Sequence, residues 1–201
     1  MFDTRLEWLR WLTFTDFRPL PGGRLAFESV AATYARGEYW RLLSYGLIHA
    51  DPGHLFFNMV TLYFFGRAME PLFVGRLGPA GYLAFYLGAL LVSILPTYLR
   101  NRNNPNYHSL GASGAVSAVL FAFILLQPWA LIFVFFIPVP AIVYAVLYVG
   151  YSIYMDQARK DNINHSAHLW GAGYGVLFLV LMEPRVIGVF LERLANPDFL
   201  R

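Results

Sequence analysis

"HSLGASGAVSAVLFAFILL", His108 to Leu126, sets a serine among glycines and alanines and runs straight on into an apolar stretch. As a helix, the part from Ser113 to Gln127 rises about 21 Å at about 1.5 Å per residue, well short of a hydrocarbon core about 30 Å thick. A segment apolar all round is surrounded by lipid or by other helices rather than half-wetted. Its polar end is the serine end. The run is therefore expected to open below the membrane surface, in a recess that water reaches.

The rest of the chain fits a membrane setting. Of 201 residues, 58% are hydrophobic, 18% aromatic and only 13% charged, against roughly a quarter charged in soluble domains. The expected architecture is all-α and polytopic, one compact membrane domain. Five spans are legible: from near Leu55 to a stop before Arg67 and Glu70, over Pro79–Tyr98, from Ser113 to Gln127, from Ala141 to about Met155, and from His168 to near Met182. Among them "PAGYLAFYLGALLVSILPTY" alone has the roughly twenty residues needed to cross unaided. The Asn-rich "LRNRNNPNYHSLG" and the polar "DQARKDNINHSA" read as loops. "WALIFVFFIPVP" (Trp129–Pro140) reads as a re-entrant or interfacial link.

The first forty residues hold no signal-peptide core, because Arg5, Arg10, Arg18, Arg24 and Arg36 interrupt them. "LEWLRWLTF" (Leu6–Phe14) is at best an amphipathic helix on the interface. The absence of cysteine excludes disulfides and a cysteine nucleophile. A formal charge of +3 without a basic stripe gives no case for nucleic acid as a partner.

Polar residues inside a bilayer are costly, so their positions are informative. If the spans alternate, His49, His54, His108, His165 and His168 gather at one face. Helix rise puts Ser113 about 21 Å above Gln127, His168 about 22 Å above Glu183, and His54 and Asn58 about 24 and 18 Å above Glu70. Three spans thus deliver a serine, two histidines and an asparagine to one level. That set suits acyl transfer. A neutral imidazole can take the serine proton. The N–H groups of the first helical turn at Ser113, at the positive end of the helix dipole, suit an oxyanion. His54 and Asn58, four residues apart and so on one helical face, can add donors. Gly111, Ala112 and Gly114 leave room for a substrate backbone. Ser117 shares the face of Ser113, and its hydroxyl either helps orient His168 or is merely small enough for close helix packing.

These residues resemble the rhomboid family of intramembrane serine proteases. "GASG" (Gly111–Gly114) matches its G-x-S-G motif, "AHLWGAGYG" (Ala167–Gly175) its A-H-x-x-G-x-x-x-G segment, and "HADPGHLFFN" (His49–Asn58) its H-x-x-x-x-H-x-x-x-N pattern. "YWR" (Tyr39–Arg41) is similar to the Trp-Arg pair of the first external loop, and "GRAME" (Gly66–Glu70) to the turn after the second core helix. Order and spacing carry the likeness over residues 39–183, leaving 1–38 as an N-terminal segment and 184–201 as a tail. The resemblance implies Ser113 as nucleophile, His168 as base, His54 and Asn58 at the oxyanion, and Gly171 and Gly175 as glycines that let the two catalytic helices touch. It also implies cleavage of transmembrane protein substrates within the lipid bilayer, with no cofactor and no metal. The expected setting is a bacterial inner membrane, with the site open to the periplasmic side.

Two features depart from the family pattern. Its first span, ahead of the Trp-Arg loop, has no counterpart in residues 1–35. The aromatic residue often found four positions after the nucleophile, packing against the base, is Ser117 here. Among the remaining residues, His49 shapes the recess or caps the loop, and Trp40 and Arg41 anchor the interface. Glu70 serves as a structural acceptor, while His108 and His165 are loop residues without a chemical task. The Trp129–Pro140 link and the Ala141–Met155 helix are candidates for a lateral gate, since Pro138 and Pro140 permit bending. Rival functions lack their marks. A zinc protease would show H-E-x-x-H, an inactive relative that only binds membrane clients would have lost the serine or the histidine, and a transporter would show paired intramembrane carboxylates or repeated halves.

Overall fold

Ser113 is the first residue of a helix, and the elements around it follow from local chemistry. The computed structural model describes residues 18–19, 25–26, 34–35, 37–104, 106–158, 161 and 163–197. A two-residue antiparallel pair, β1 (Arg18–Pro19) and β2 (Leu25–Ala26), precedes α1 (Arg41–Ser44) and a 3-10 turn (Tyr45–Leu47). α2 (Pro52–Thr61) begins where Asp51 accepts the His54 N–H at 2.8 Å and proline fills the first turn. It continues through a π turn (Leu62–Gly66) into α3 (Arg67–Leu77). The helix expected to stop before Arg67 therefore runs on past Glu70, and "GRAME" is helix rather than turn. Arg, Ala, Met and Glu all favour helix, so their charges mark a change of surroundings and not an end. The actual stop is Gly78, with φ +80°.

α4 (Gly81–Asn101) answers the span read at Pro79–Tyr98 and is the one described helix long and apolar enough to cross a bilayer alone. α5 (Ser113–Leu126) is apolar but short. The link after it takes the form of an antiparallel hairpin rather than a re-entrant segment: β3 (Leu131–Val134) and β4 (Ile137–Pro140), with Val134 opposite Ile137. Its β-branched and aromatic residues favour extended chain, and Pro138 and Pro140 forbid a helix interior. Phe135 takes the left-handed φ of 57° in the two-residue turn. α6 (Ala141–Ala158), α7 (His165–Met182) and α8 (Val186–Ala195) complete the chain, α8 being bent from α7 by 113°. Leu6–Phe14 lies outside the described residues, as does nearly all of 1–35, where no counterpart of the family's first span is expected.

The most extensive helix contact joins α5 to α7. A side chain on Gly171 would overlap the Gly114 carbonyl, and one on Gly175 the Ala118 carbonyl. The two backbones thus meet directly, as small residues allow between lipid-embedded helices. α4 packs on both. A ring cluster fills the interior: Phe73 and Phe85 stack at 4.3 Å, and Phe178 and Tyr174 lie 5.1 and 5.6 Å from Phe85. On the outside of α4, Leu83, Leu87, Leu91, Leu95 and Leu99 recur every fourth residue, each 39–58% exposed. A bare apolar stripe of that length suits lipid. At the end of α5, the Arg193 guanidinium donates to the Leu126 carbonyl and the Trp129 indole N–H donates to the Arg193 carbonyl, which ties α8 to α5.

Candidate active site

Ser113 opens α5 without any side chain capping the helix start, so the first-turn N–H groups keep their donor capacity. The loop reaches this point through Gly111, with φ +101° and its N–H bonded to the Tyr45 carbonyl at 3.2 Å. A Cβ on Gly111 would come within 2.5 Å of the His54 ring. Only glycine lets the chain pass beneath that imidazole. His168 stands one turn into α7, with Nε2 2.7 Å from Ser113 Oγ. The Gly114–Gly171 contact lies about one turn from this bond and sets the helix separation.

Asn164 caps α7. Its side-chain oxygen accepts the Ala167 N–H at 3.0 Å and the Thr97 hydroxyl at 3.1 Å, and its amide nitrogen donates to Ser109 Oγ at 3.0 Å. One side chain thus joins α4, the loop before Ser113 and the start of α7. Sequence reasoning passed over it, although a polar asparagine just before an apolar helix is an N-cap signal.

His54 and Asn58 share a face of α2 as their spacing implies. Asn58 is buried, and its amide nitrogen has no hydrogen-bond partner among the described residues. Buried donors are rarely left so, which makes this one available to an arriving acceptor. The His49 ring stands edge-on to His54, with centroids 5.0 Å apart. Burial, and then the neighbouring His54, hold the His49 imidazole below the usual histidine range.

Ser117 takes a route other than the expected one. Its hydroxyl donates to the Ser113 carbonyl at 2.8 Å and bonds the Tyr148 hydroxyl at 2.7 Å, rather than the imidazole. The Tyr148 ring in turn lies nearly parallel to His168, with centroids 6.1 Å apart and planes at 24°. Tyr148 was not singled out from the sequence, because α6 carries tyrosines at 144, 148, 151 and 154 and no pattern says which faces the site.

Two other expectations, those for His165 and Arg41, need correction. His165 is not a loop residue. It begins α7, is buried, places Nε2 3.1 Å from the Asp161 carboxylate, and meets His168 edge-on at 5.8 Å. Arg41 does not snorkel at an interface; it is 1% exposed, with Nε 2.7 Å from Glu38, and lies over the Trp40 ring at 5.0 Å. A charge without a partner at that depth would cost several kcal/mol, so Glu38 is its necessary companion. Trp40 is exposed, and Glu70 sits exposed on α3. His108 lines a polar cavity of about 530 Å³ together with Thr97, Asn101, Asp156, Asp161 and Asn164. Among the described residues no three His, Asp or Glu side chains form a metal-ligand cluster.

Residues 36–185 match the family described as "Rhomboid domain". Relatives include "RHOMBOID-like protein 12, mitochondrial" of Arabidopsis thaliana, 35% identical over 158 residues, which is 72% of this chain and 46% of the relative. "Rhomboid protease GluP" of Bacillus subtilis is 29% identical over 167 residues, 83% of this chain and 30% of the relative. "Rhomboid protein 1, mitochondrial" of Saccharomyces cerevisiae is 32% identical over 138 residues, 65% and 38% respectively. The chain spans less than half the length of each. Mitochondrial and bacterial proteins stand side by side among them, so the likeness places the chain in a membrane without selecting a bacterial inner membrane or a periplasmic face.

Proposed function

The chain belongs to the rhomboid family, and from that premise we propose that it is an intramembrane serine endopeptidase cutting transmembrane segments of other membrane proteins, with Ser113 as nucleophile and His168 as base. The observation that carries this reading is the 2.7 Å approach of His168 Nε2 to Ser113 Oγ at the heads of two closely packed helices. In the same reading the protease domain covers residues 39–183, between an N-terminal segment (1–38) and a tail (184–201). Its five spans are the helical run from Pro52 to Leu77, then α4, α5, α6 and α7.

The chemistry follows from the donors present. Neutral His168 accepts the Ser113 proton at Nε2 as Oγ bonds the scissile carbonyl carbon, and the carbonyl π pair moves onto oxygen. The N–H of Ser113, the His54 imidazole and the Asn58 amide stabilise that oxyanion. Collapse breaks the C–N bond, and the imidazolium returns its proton to the departing amine. A water, deprotonated by His168, then hydrolyses the acyl-enzyme and restores Ser113. Serine-base pairs operate without a third carboxylate member on other folds too.

Labelling with a fluorophosphonate probe in detergent tests the assignment. Wild type should be modified on Ser113, while Ser113→Ala and His168→Ala, melting within a few degrees of wild type, should stay unmodified. Persistent labelling of Ser113→Ala, or none of the wild type, would overturn it.

A further inference from the structure

We infer that Tyr148 is a positioning residue for the base: its ring backs the His168 imidazole while its hydroxyl, through Ser117, is tied to the residue that carries the nucleophile. This rests on the dyad reading above. Ser117 has a single hydroxyl proton and donates it to the Ser113 carbonyl at 2.8 Å. The Tyr148 hydroxyl, 2.7 Å from Ser117 Oγ, must therefore be the donor of the second bond. A continuous path results, from the phenol of α6 to the hydroxyl of Ser117 to the backbone of Ser113. At its other end the phenol ring lies 24° from parallel with His168, at an offset-stacking distance of 6.1 Å.

The ring is itself held in place. Phe121 packs against it at 5.5 Å and Tyr144 stacks on it at 5.6 Å. His168 is thus fixed by a ring on one face and by the edge-on His165 at 5.8 Å. An imidazole free to tilt would lose the alignment of Nε2 with Ser113 Oγ, and misplacement on the scale of 1 Å is costly to rate. Ser113 and His168 come from α5 and α7, whereas Tyr148 comes from α6. The spacing of the dyad is set by two helices and the attitude of its base by a third.

Steady-state cleavage of a membrane substrate, alongside fluorophosphonate labelling rates, tests the role. Tyr148→Leu should lower kcat and the labelling rate together by about 10- to 100-fold, with KM within about twofold of wild type. Tyr148→Phe keeps the ring and should recover most of that loss, falling only a few-fold short of wild type. Ser117→Ala should match Tyr148→Phe, and the double variant should be no worse than either single one, because both remove the same tie. Wild-type kcat in a folded Tyr148→Leu protein would overturn the inference. If that variant does not fold, multiplicative losses in the Ser117→Ala, Tyr148→Phe double variant overturn it instead. Absence of labelling in the wild type strikes the dyad itself rather than Tyr148.

Discussion

α7 is held differently at its start, against α5, and further along, against α3 and α4. Around Ser113 and His168 the ties are directional: backbone against glycine, the Asn164 bonds to three partners, and the Ser117–Tyr148 pair. Around Phe85 the rings of Phe73, Tyr174 and Phe178 meet face and edge, each 4.3–5.6 Å from it, and stabilise by contact area rather than by direction. The contrast separates placement from cohesion. Changes to the hydrogen-bonding side chains of the first region should alter rate at little cost in stability, and substitutions among the rings should do the reverse.

The largest effect breaks both at once. Gly171→Val pushes a branched side chain into the Gly114 backbone, so no folded, probe-reactive protein is expected from it. Gly173→Val, at a glycine with open space around its α-carbon, should label and melt like wild type. Equal behaviour of the two would remove backbone contact as the determinant of the site. Next comes Phe85→Ala. Emptying the fully buried ring position should cost about 3–5 kcal/mol, seen as a lowered melting temperature, while labelling at low temperature proceeds near the wild-type rate. A rate loss matching the stability loss would merge the two regions into one.

The smallest effect sharpens the border between them. Partial burial pushes the Asp161 carboxyl up, but its bonds from His165 and the Ile163 N–H outweigh this and hold it below the usual aspartate range. A depressed folded value means that the charged form contributes stability above the ordinary aspartate pKa of about 3.9, and that this contribution is lost as pH falls through the lower folded value. Asp161→Asn should therefore melt slightly below wild type near neutral pH, and the gap should close in acid. A gap that is constant with pH would assign the loss to something other than the carboxylate.

How far the sequence could reach is instructive at particular residues. That residues 113 and 168 stand near the heads of neighbouring helices was legible, because apolar run lengths fix helix onsets and helix rise fixes depth. The span at Pro79–Tyr98 emerged as α4 within a few residues for the same reason. Depth, however, says nothing about azimuth. Tyr148 was missed because α6 is apolar or aromatic nearly all round, so no polar face marks its inward side, whereas His165 was read as loop because the onset of α7 was set three residues late, at His168. The buried Arg41 was misplaced because a snorkelling arginine and a paired one have the same sequence, and Glu38, three residues earlier, supplies the partner. The run past Arg67 was missed because charge was taken for punctuation.

The meeting of α5 and α7 at Gly114–Gly171 and Ala118–Gly175 has one more result. Where peptide groups themselves form the contact, no rotamer stands between the helices to be repacked. Bilayers of unequal thickness can tilt the pair as a unit, but they find little slack with which to part it. The distance between Ser113 Oγ and His168 Nε2 is in this sense an inheritance of covalent geometry, and it should vary less from one lipid mixture to another than the width of the openings around it.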